Sequence, residues 1–198
     1  CSSDLDFEIT PEWCRDKLGN PVAASLPLWE MDLESLQSLE IRVDRRLANK
    51  RPLSEAEKKI PSLAEVFQAI KKWDSEFSTA TLMDIEIKRE DLIEKKAPSA
   101  RVMVSQVISE IREHWDMKKT RIRSFDFSVL DEVRNQVPEL PLAVLTNQSR
   151  VSISEIYQRF KPEVWAPHYR DLSLEKMGQA KDVGMSVIPY TVNTLMDF

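Results

Sequence analysis

Apolar positions along this chain fall into two rhythms that take turns. Val104, Val107, Ile108, Ile111 and Trp115 stand at i, i+3, i+4, i+7 and i+11, the spacing of one helical face. Short apolar runs at 82–87, 120–125, 142–146, 163–166 and 185–192 read as strands. Helical patterns at 129–137, 152–160 and 173–184 fill the gaps between them, and a last helix is expected from Thr194. Ser62 with Glu65 three residues on forms a capping box for a helix running to about residue 73, and Ser173 caps a later one. Pro138 and Pro167 close the segments before them, and Gly184 suits a helix C-terminus. Before residue 80 the rhythm is weaker. The stretch to Glu30 reads as irregular, with a turn at Gly19-Asn20-Pro21; Leu33, Leu36 and Leu39 suggest a short helix; 42–59 is polar.

Strands alternating with helices predict a parallel sheet with crossover helices. Periodicity leaves open whether that sheet is a doubly wound open one or part of an eight-stranded barrel. The length of 198 residues suits one domain. With 42% hydrophobic and 31% charged residues the composition is that of a globular chain. The net charge of −5 is spread evenly, which argues against nucleic acid as a partner, and no apolar run reaches the roughly 18 residues of a membrane helix. Only three glycines occur, against about 14 at average usage. Either a phosphate would rest mainly on side chains and metal, or the glycine-bearing part of its site lies outside this chain. There is no Gly-x-Gly-x-x-Gly after a strand, no P-loop, no Gly-x-Ser-x-Gly and no Cys/His spacing for zinc.

The chemistry concentrates in Met83-Asp84-Ile85-Glu86-Ile87-Lys88. In a strand Asp84, Glu86 and Lys88 share one face, and buried charges must be paired or bound to metal. Two readings follow: a carboxylate metal ligand beside a phosphate-binding lysine, or a structural ion pair at the strand's end. Polar residues also close the other strands: Ser124-Phe125-Asp126, Thr146-Asn147, His168, and Thr191 with Asn193. Singly, such residues are more often helix caps or turn residues; together they line the mouth of a barrel. His168 is a better functional candidate than His114, which lies on an amphipathic helix. The five tryptophans read as core or helix-packing residues.

Several of these segments resemble the glycerophosphodiester phosphodiesterase family, in order and along nearly the whole chain. Asp84-Ile-Glu-Ile-Lys88 is similar to its Asn/Asp-Ile-Glu-Ile-Lys strand, and Ile60-Pro-Ser-Leu-Ala-Glu-Val66 to its Ile-Pro-Thr-Leu-Glu-Glu-Val. Met31 to Leu39 resembles its early leucine-rich helix, and Ser124-Phe-Asp126 its Ser-Phe-Asp turn. Pro167-His-Tyr-Arg-Asp-Leu172 is similar to the loop after its sixth strand, and Pro189-Tyr-Thr-Val-Asn193 to Pro-Trp-Thr-Val-Asn, with Tyr190 for the usual Trp.

The resemblance implies a (β/α)8 barrel, an enzyme of lipid metabolism that hydrolyses glycerophosphodiesters to an alcohol and glycerol phosphate, and a Ca2+ or Mg2+ ion. It implies Glu86 as one of three carboxylate ligands, Lys88 at the phosphate, and Phe125 and Tyr190 along the substrate cleft; His168 and Asn193 fall on the same rim. The family's His-Arg-Gly strand, its Glu-x-Asp strand, its His-Asp and its terminal Thr-Asp have no counterpart here, and Ser3 stands about where a catalytic histidine belongs. No catalytic histidine is therefore assigned. The chain is expected to be one partial domain, with an irregular insert and helices over 1–80 and barrel strands three to seven over 81–198. Taken alone such a polypeptide should be inactive and prone to self-association through open strand edges. A degenerate member that binds a phosphorylated ligand or partner without turnover is the alternative.

Overall fold

The computed structural model describes residues 8–9, 14–16, 18–22, 26–27, 30–41, 59–89, 98–147 and 152–192. The chain divides into two compact units, Cys1–Trp73 and Asp74–Phe198.

In the first unit the stretch expected to be irregular forms two small antiparallel ladders. Strand β1 (Glu8–Ile9) pairs with β3 (Leu26–Pro27), and β2 (Cys14–Arg15) with β4 (Glu40–Ile41). These two-residue strands are too short to show an alternating pattern, which is why periodicity passed over them. The turn expected around Gly19 is built by Asp16, whose carboxylate accepts from the Leu18 and Asn20 amides at 2.8 and 2.9 Å. Gly19 takes φ +80°, open to glycine without strain. Helix α1 (Leu33–Gln37) is capped by Asp32, which accepts from the Ser35 amide at 2.7 Å. It ends before Leu39, which is buried with Cys14 in a small core that Val22, Met31, Leu36 and Ile60 cover. Helix α2 (Leu63–Phe77) opens on the expected capping box: Ser62 Oγ accepts from the Glu65 amide at 3.2 Å, and Glu65 accepts from the Ser62 amide at 2.7 Å. It runs one turn further than expected, and Trp73 is 57% exposed rather than packed in a core.

The second unit holds five parallel strands in the order β5 (Met83–Glu86), β6 (Thr120–Ser124), β7 (Leu142–Thr146), β8 (Val164–Pro167) and β9 (Ser186–Val187). Helices α3 (Ala100–His114), α4 (Phe127–Gln136), α5 (Ile153–Phe160) and α6 (Leu174–Asp182) fall between successive strands. Space order equals chain order throughout. A doubly wound sheet reverses its order at a switch point, whereas a barrel does not, so the alternative left open by periodicity is settled in favour of a barrel-type run. The expected strand over 185–192 is the one marked difference. Ladder pairing stops at Val187, close to Pro189, which has no N–H to give. Tyr190 then rejoins through a single parallel bridge to His168.

Register divides the sheet into two faces. Ile122, Leu142, Val144 and Trp165 share one, all at most 2% exposed, and the inward residues of the helices (Val104, Ile108, Ile111, Val129, Leu130, Val133) are equally buried. The other face carries Asp84 and Glu86 opposite Arg121 and Arg123, then Ala143, Leu145, Val164 and Ala166 as a small apolar cluster. At the amino end of the sheet Arg134 of α4 gathers three chain segments. Its guanidinium donates to the carbonyls of Phe160 (2.8 Å), Pro138 (2.8 Å), Leu140 (2.6 Å) and Lys161 (3.3 Å). Burial works to lower the Arg134 pKa, against the nearby Glu163 charge. Among the described residues no helix is long and apolar enough to cross a membrane.

Candidate active site

The carboxyl ends of the five strands carry the expected site residues to one rim. Glu86 ends β5, with Lys88, partly buried, two residues beyond it. Phe125 follows β6, Thr146 ends β7, His168 follows β8, and Tyr190 lies in line with His168 across the bridge. Strand ends at this face are where parallel barrels build their sites.

Three of the candidates meet directly. The Tyr190 ring stands edge to face with Phe125 at 5.5 Å and with His168 at 5.6 Å between centroids. The Tyr190 hydroxyl donates to the Thr146 carbonyl at 3.0 Å, and backbone bonds on both sides hold the residue: Tyr190 N to Pro167 O at 3.0 Å, Tyr169 N to Tyr190 O at 2.8 Å. Burial, with the negative charges of Asp171 and Glu86, pushes the phenol up to about 12. Tyr190 is therefore a neutral donor at any physiological pH, and Glu86 lies close enough for its charge to be felt. His168 Nδ1 accepts from the Arg170 amide at 3.2 Å. That bond leaves Nε2 to carry the proton of the neutral ring. Asn193 lies outside the described residues.

The Ser-Phe-Asp turn works as a bracket. Ser124 Oγ donates to the Ile87 carbonyl at 2.6 Å and accepts from the Asp126 amide at 3.1 Å. Asp126 caps α4 through the Ser128 amide at 2.7 Å and pairs with Arg89 at 2.9 Å, both side chains of that pair being less than a tenth exposed. The two flanking polar residues thus tie the turn to the end of β5, and the side chain between them, Phe125, is left 43% exposed on the rim. Burial works to raise the Asp126 carboxyl, but the bonds from Ser128 and Arg89 outweigh it and hold the group below the ordinary 3.8. A depressed folded pKa contributes stability that is present above the unfolded value and is lost as pH falls through the folded one. The melting temperature should therefore drop between about pH 5 and about pH 2, and Asp126→Asn should flatten that descent. A drop of the same size in both proteins would show that the pair contributes nothing. Of the two structural roles expected for Asn147, helix cap or turn residue, the cap falls to Ser152, with Glu155 completing a capping box, and Asn147 lies in a bend after β7.

Glu86 has two unlike oxygens. Oε2 accepts from Arg123 Nη2 at 3.1 Å; Oε1 is buried and has no hydrogen-bond partner among the described residues. One rung earlier along β5 the arrangement is closed: Arg121 grips Asp84 with both arms, at 3.2 and 2.7 Å. The ion-pair reading of this strand therefore accounts for Asp84 fully and for Glu86 by half. Arg121, Arg123 and Arg89 were missed in the sequence. The first two were visible as Arg-x-Arg on the strand after Asp-x-Glu, charges matched at period two. As a test of the expected cation, the open oxygen of Glu86 fits one coordination position, since carboxylate oxygen suits a hard divalent ion. Among the described residues no group of three His, Cys, Asp or Glu side chains gathers to complete such a site.

The architecture and the chain both find relatives. A candidate glycerophosphoryl diester phosphodiesterase from Silicibacter pomeroyi superposes with a TM-score of 0.80 at 22% identity, over 97% of this chain and 68% of its own. An Oleispira antarctica phosphodiesterase, solved with its product sn-glycerol-3-phosphate, gives 0.70 at 14% identity over 88% and 64%. A glycerophosphodiester phosphodiesterase from Parabacteroides distasonis gives 0.63 at 17% over 90% and 63%. The chain thus spans about two thirds of the length of each. Identities this low speak for the fold. No curated protein matches the chain in sequence. The profile of the glycerophosphoryl diester phosphodiesterase family matches residues 6–198, and by that match over nearly its whole length the chain belongs to this family.

Proposed function

We propose that this protein hydrolyses glycerophosphodiesters to an alcohol and glycerol phosphate, as a phosphoric diester hydrolase that uses a divalent cation, Ca2+ or Mg2+. The observation that carries the reading is the family match over residues 6–198; the buried, unpartnered Oε1 of Glu86 at the end of β5 supports it. Glu86 would hold the cation through that oxygen, as one ligand of the set. When bound, the cation would supply Lewis-acid polarisation of the phosphoryl group. Lys88 would meet the phosphate and offset the negative charge that builds on its oxygens. Phe125, His168, Tyr190 and Asn193 would line the cleft for the glycerol and alcohol portions. In the reaction, water oxygen bonds to phosphorus, the P–O bond to the alcohol breaks, and the departing oxygen takes up a proton.

The test is a turnover assay on the full-length protein with a panel of glycerophosphodiesters, with and without a chelator. Release of glycerol phosphate that stops on chelation and returns with Ca2+ or Mg2+ is the expected result. Binding of a glycerophosphodiester without turnover would instead establish a non-catalytic member of the family.

A further inference from the structure

We propose that Arg123 is a positioning residue for Glu86: it holds the carboxylate by one oxygen so that the other is presented to a divalent cation. The proposal rests on the assignment of Glu86 as a cation ligand made above.

The argument comes from two adjacent rungs of the same ladder. Asp84 faces Arg121 and Glu86 faces Arg123 in register on β5 and β6. The chemistry of the two rungs is the same, a carboxylate against a guanidinium. Left to itself this pair prefers a two-armed contact, because the guanidinium fork matches the two carboxylate oxygens. The earlier rung takes that form, at 3.2 and 2.7 Å. The rim rung does not. Only Arg123 Nη2 reaches Glu86, at 3.1 Å on Oε2. Among the described residues Arg123 Nε is buried without a hydrogen-bond partner, and so is Glu86 Oε1. A buried carboxylate oxygen with no donor is costly and uncommon. Here it occurs beside an arginine whose Nη1 lies 3.9 Å from Asp84 Oδ2.

Such a one-armed contact restrains the Glu86 carboxylate through Oε2 and leaves Oε1, at the carboxyl end of β5, buried without a donor. The unmet need at that oxygen is for a positive partner. Oxygen donors, and an acidic one above all, select a hard ion such as Ca2+ or Mg2+. Partners that orient a ligand from behind typically govern affinity by 10- to 100-fold.

The experiment is calorimetric titration of the full-length protein with Ca2+ and with Mg2+ alone, no substrate present, on wild type, E86Q, R123M and R123K, each first checked for a cooperative melt. The expected result is binding abolished in E86Q, weakened about 10- to 100-fold in R123M and partly restored in R123K. Should R123M fail to fold, R123Q takes its place, because its amide is too short to reach Oε2 and the same loss is expected. Binding abolished by E86Q but unchanged or tightened in R123M would overturn the positioning role and leave Glu86 as a ligand. Binding unaffected by E86Q would overturn the assignment of Glu86 and this proposal with it.

Discussion

Glu86→Gln in the full-length protein should lower the hydrolysis of glycerophosphodiesters by at least about a hundredfold, since even the outer partners of a metal ligand are worth 10- to 100-fold. Glutamine keeps the size of the side chain and an oxygen for Arg123, so packing is little disturbed. It removes the charge that a hard cation needs. Stability should barely move, because the ion pair with Arg123 is partly exposed and such pairs contribute roughly 0–1 kcal/mol. The rate separates the two roles: loss of a ligand lowers it, loss of a structural pair does not, and an unchanged melt shows that a lower rate does not come from unfolding. Full activity in Glu86→Gln would remove the residue from the site.

Trp165→Ala should be the most damaging single change to the fold, at about 3–5 kcal/mol by urea denaturation. Trp165 is the largest side chain on the buried face of the sheet and is 2% exposed. Its loss would leave a cavity beneath β7 and β8 and strip the Thr146 hydroxyl of the indole N–H that donates to it at 3.0 Å. Domains of this kind have only about 5–15 kcal/mol in all, so the variant should sit near its unfolding threshold. Thr146→Val isolates the hydrogen bond and should cost about 1 kcal/mol. A Trp165→Ala loss no larger than that would mean the surrounding side chains collapse to refill the space.

The second unit was readable from the chain because every level agreed there. Runs such as Leu142–Thr146 are apolar throughout, as strands buried on both faces must be, and Ser173 and Asp126 cap the helices they precede. Strand order was not readable: it is a property of pairing between distant segments, which periodicity does not carry. The ladders of the first unit were lost because two-residue strands have no period. At the site, Glu86 and His168 could be named because each ends or follows a strand, whereas Phe125 and Tyr190 came from the resemblance of the Ser-Phe-Asp and Pro-Tyr-Thr-Val-Asn segments. The division of the Glu86 carboxylate into one held and one open oxygen could not, because it depends on which way Arg123 points.

Arg134 carries a consequence for how the molecule breathes. By binding the carbonyls of Pro138 and Leu140 before β7 and of Phe160 and Lys161 at the end of α5, one side chain on α4 joins the ends of two successive strand–helix repeats. Neither repeat can detach without stranding a half-buried charge. The amides of α4, β7 and α5 should thus exchange with deuterium as a single cooperative block, with one shared opening free energy.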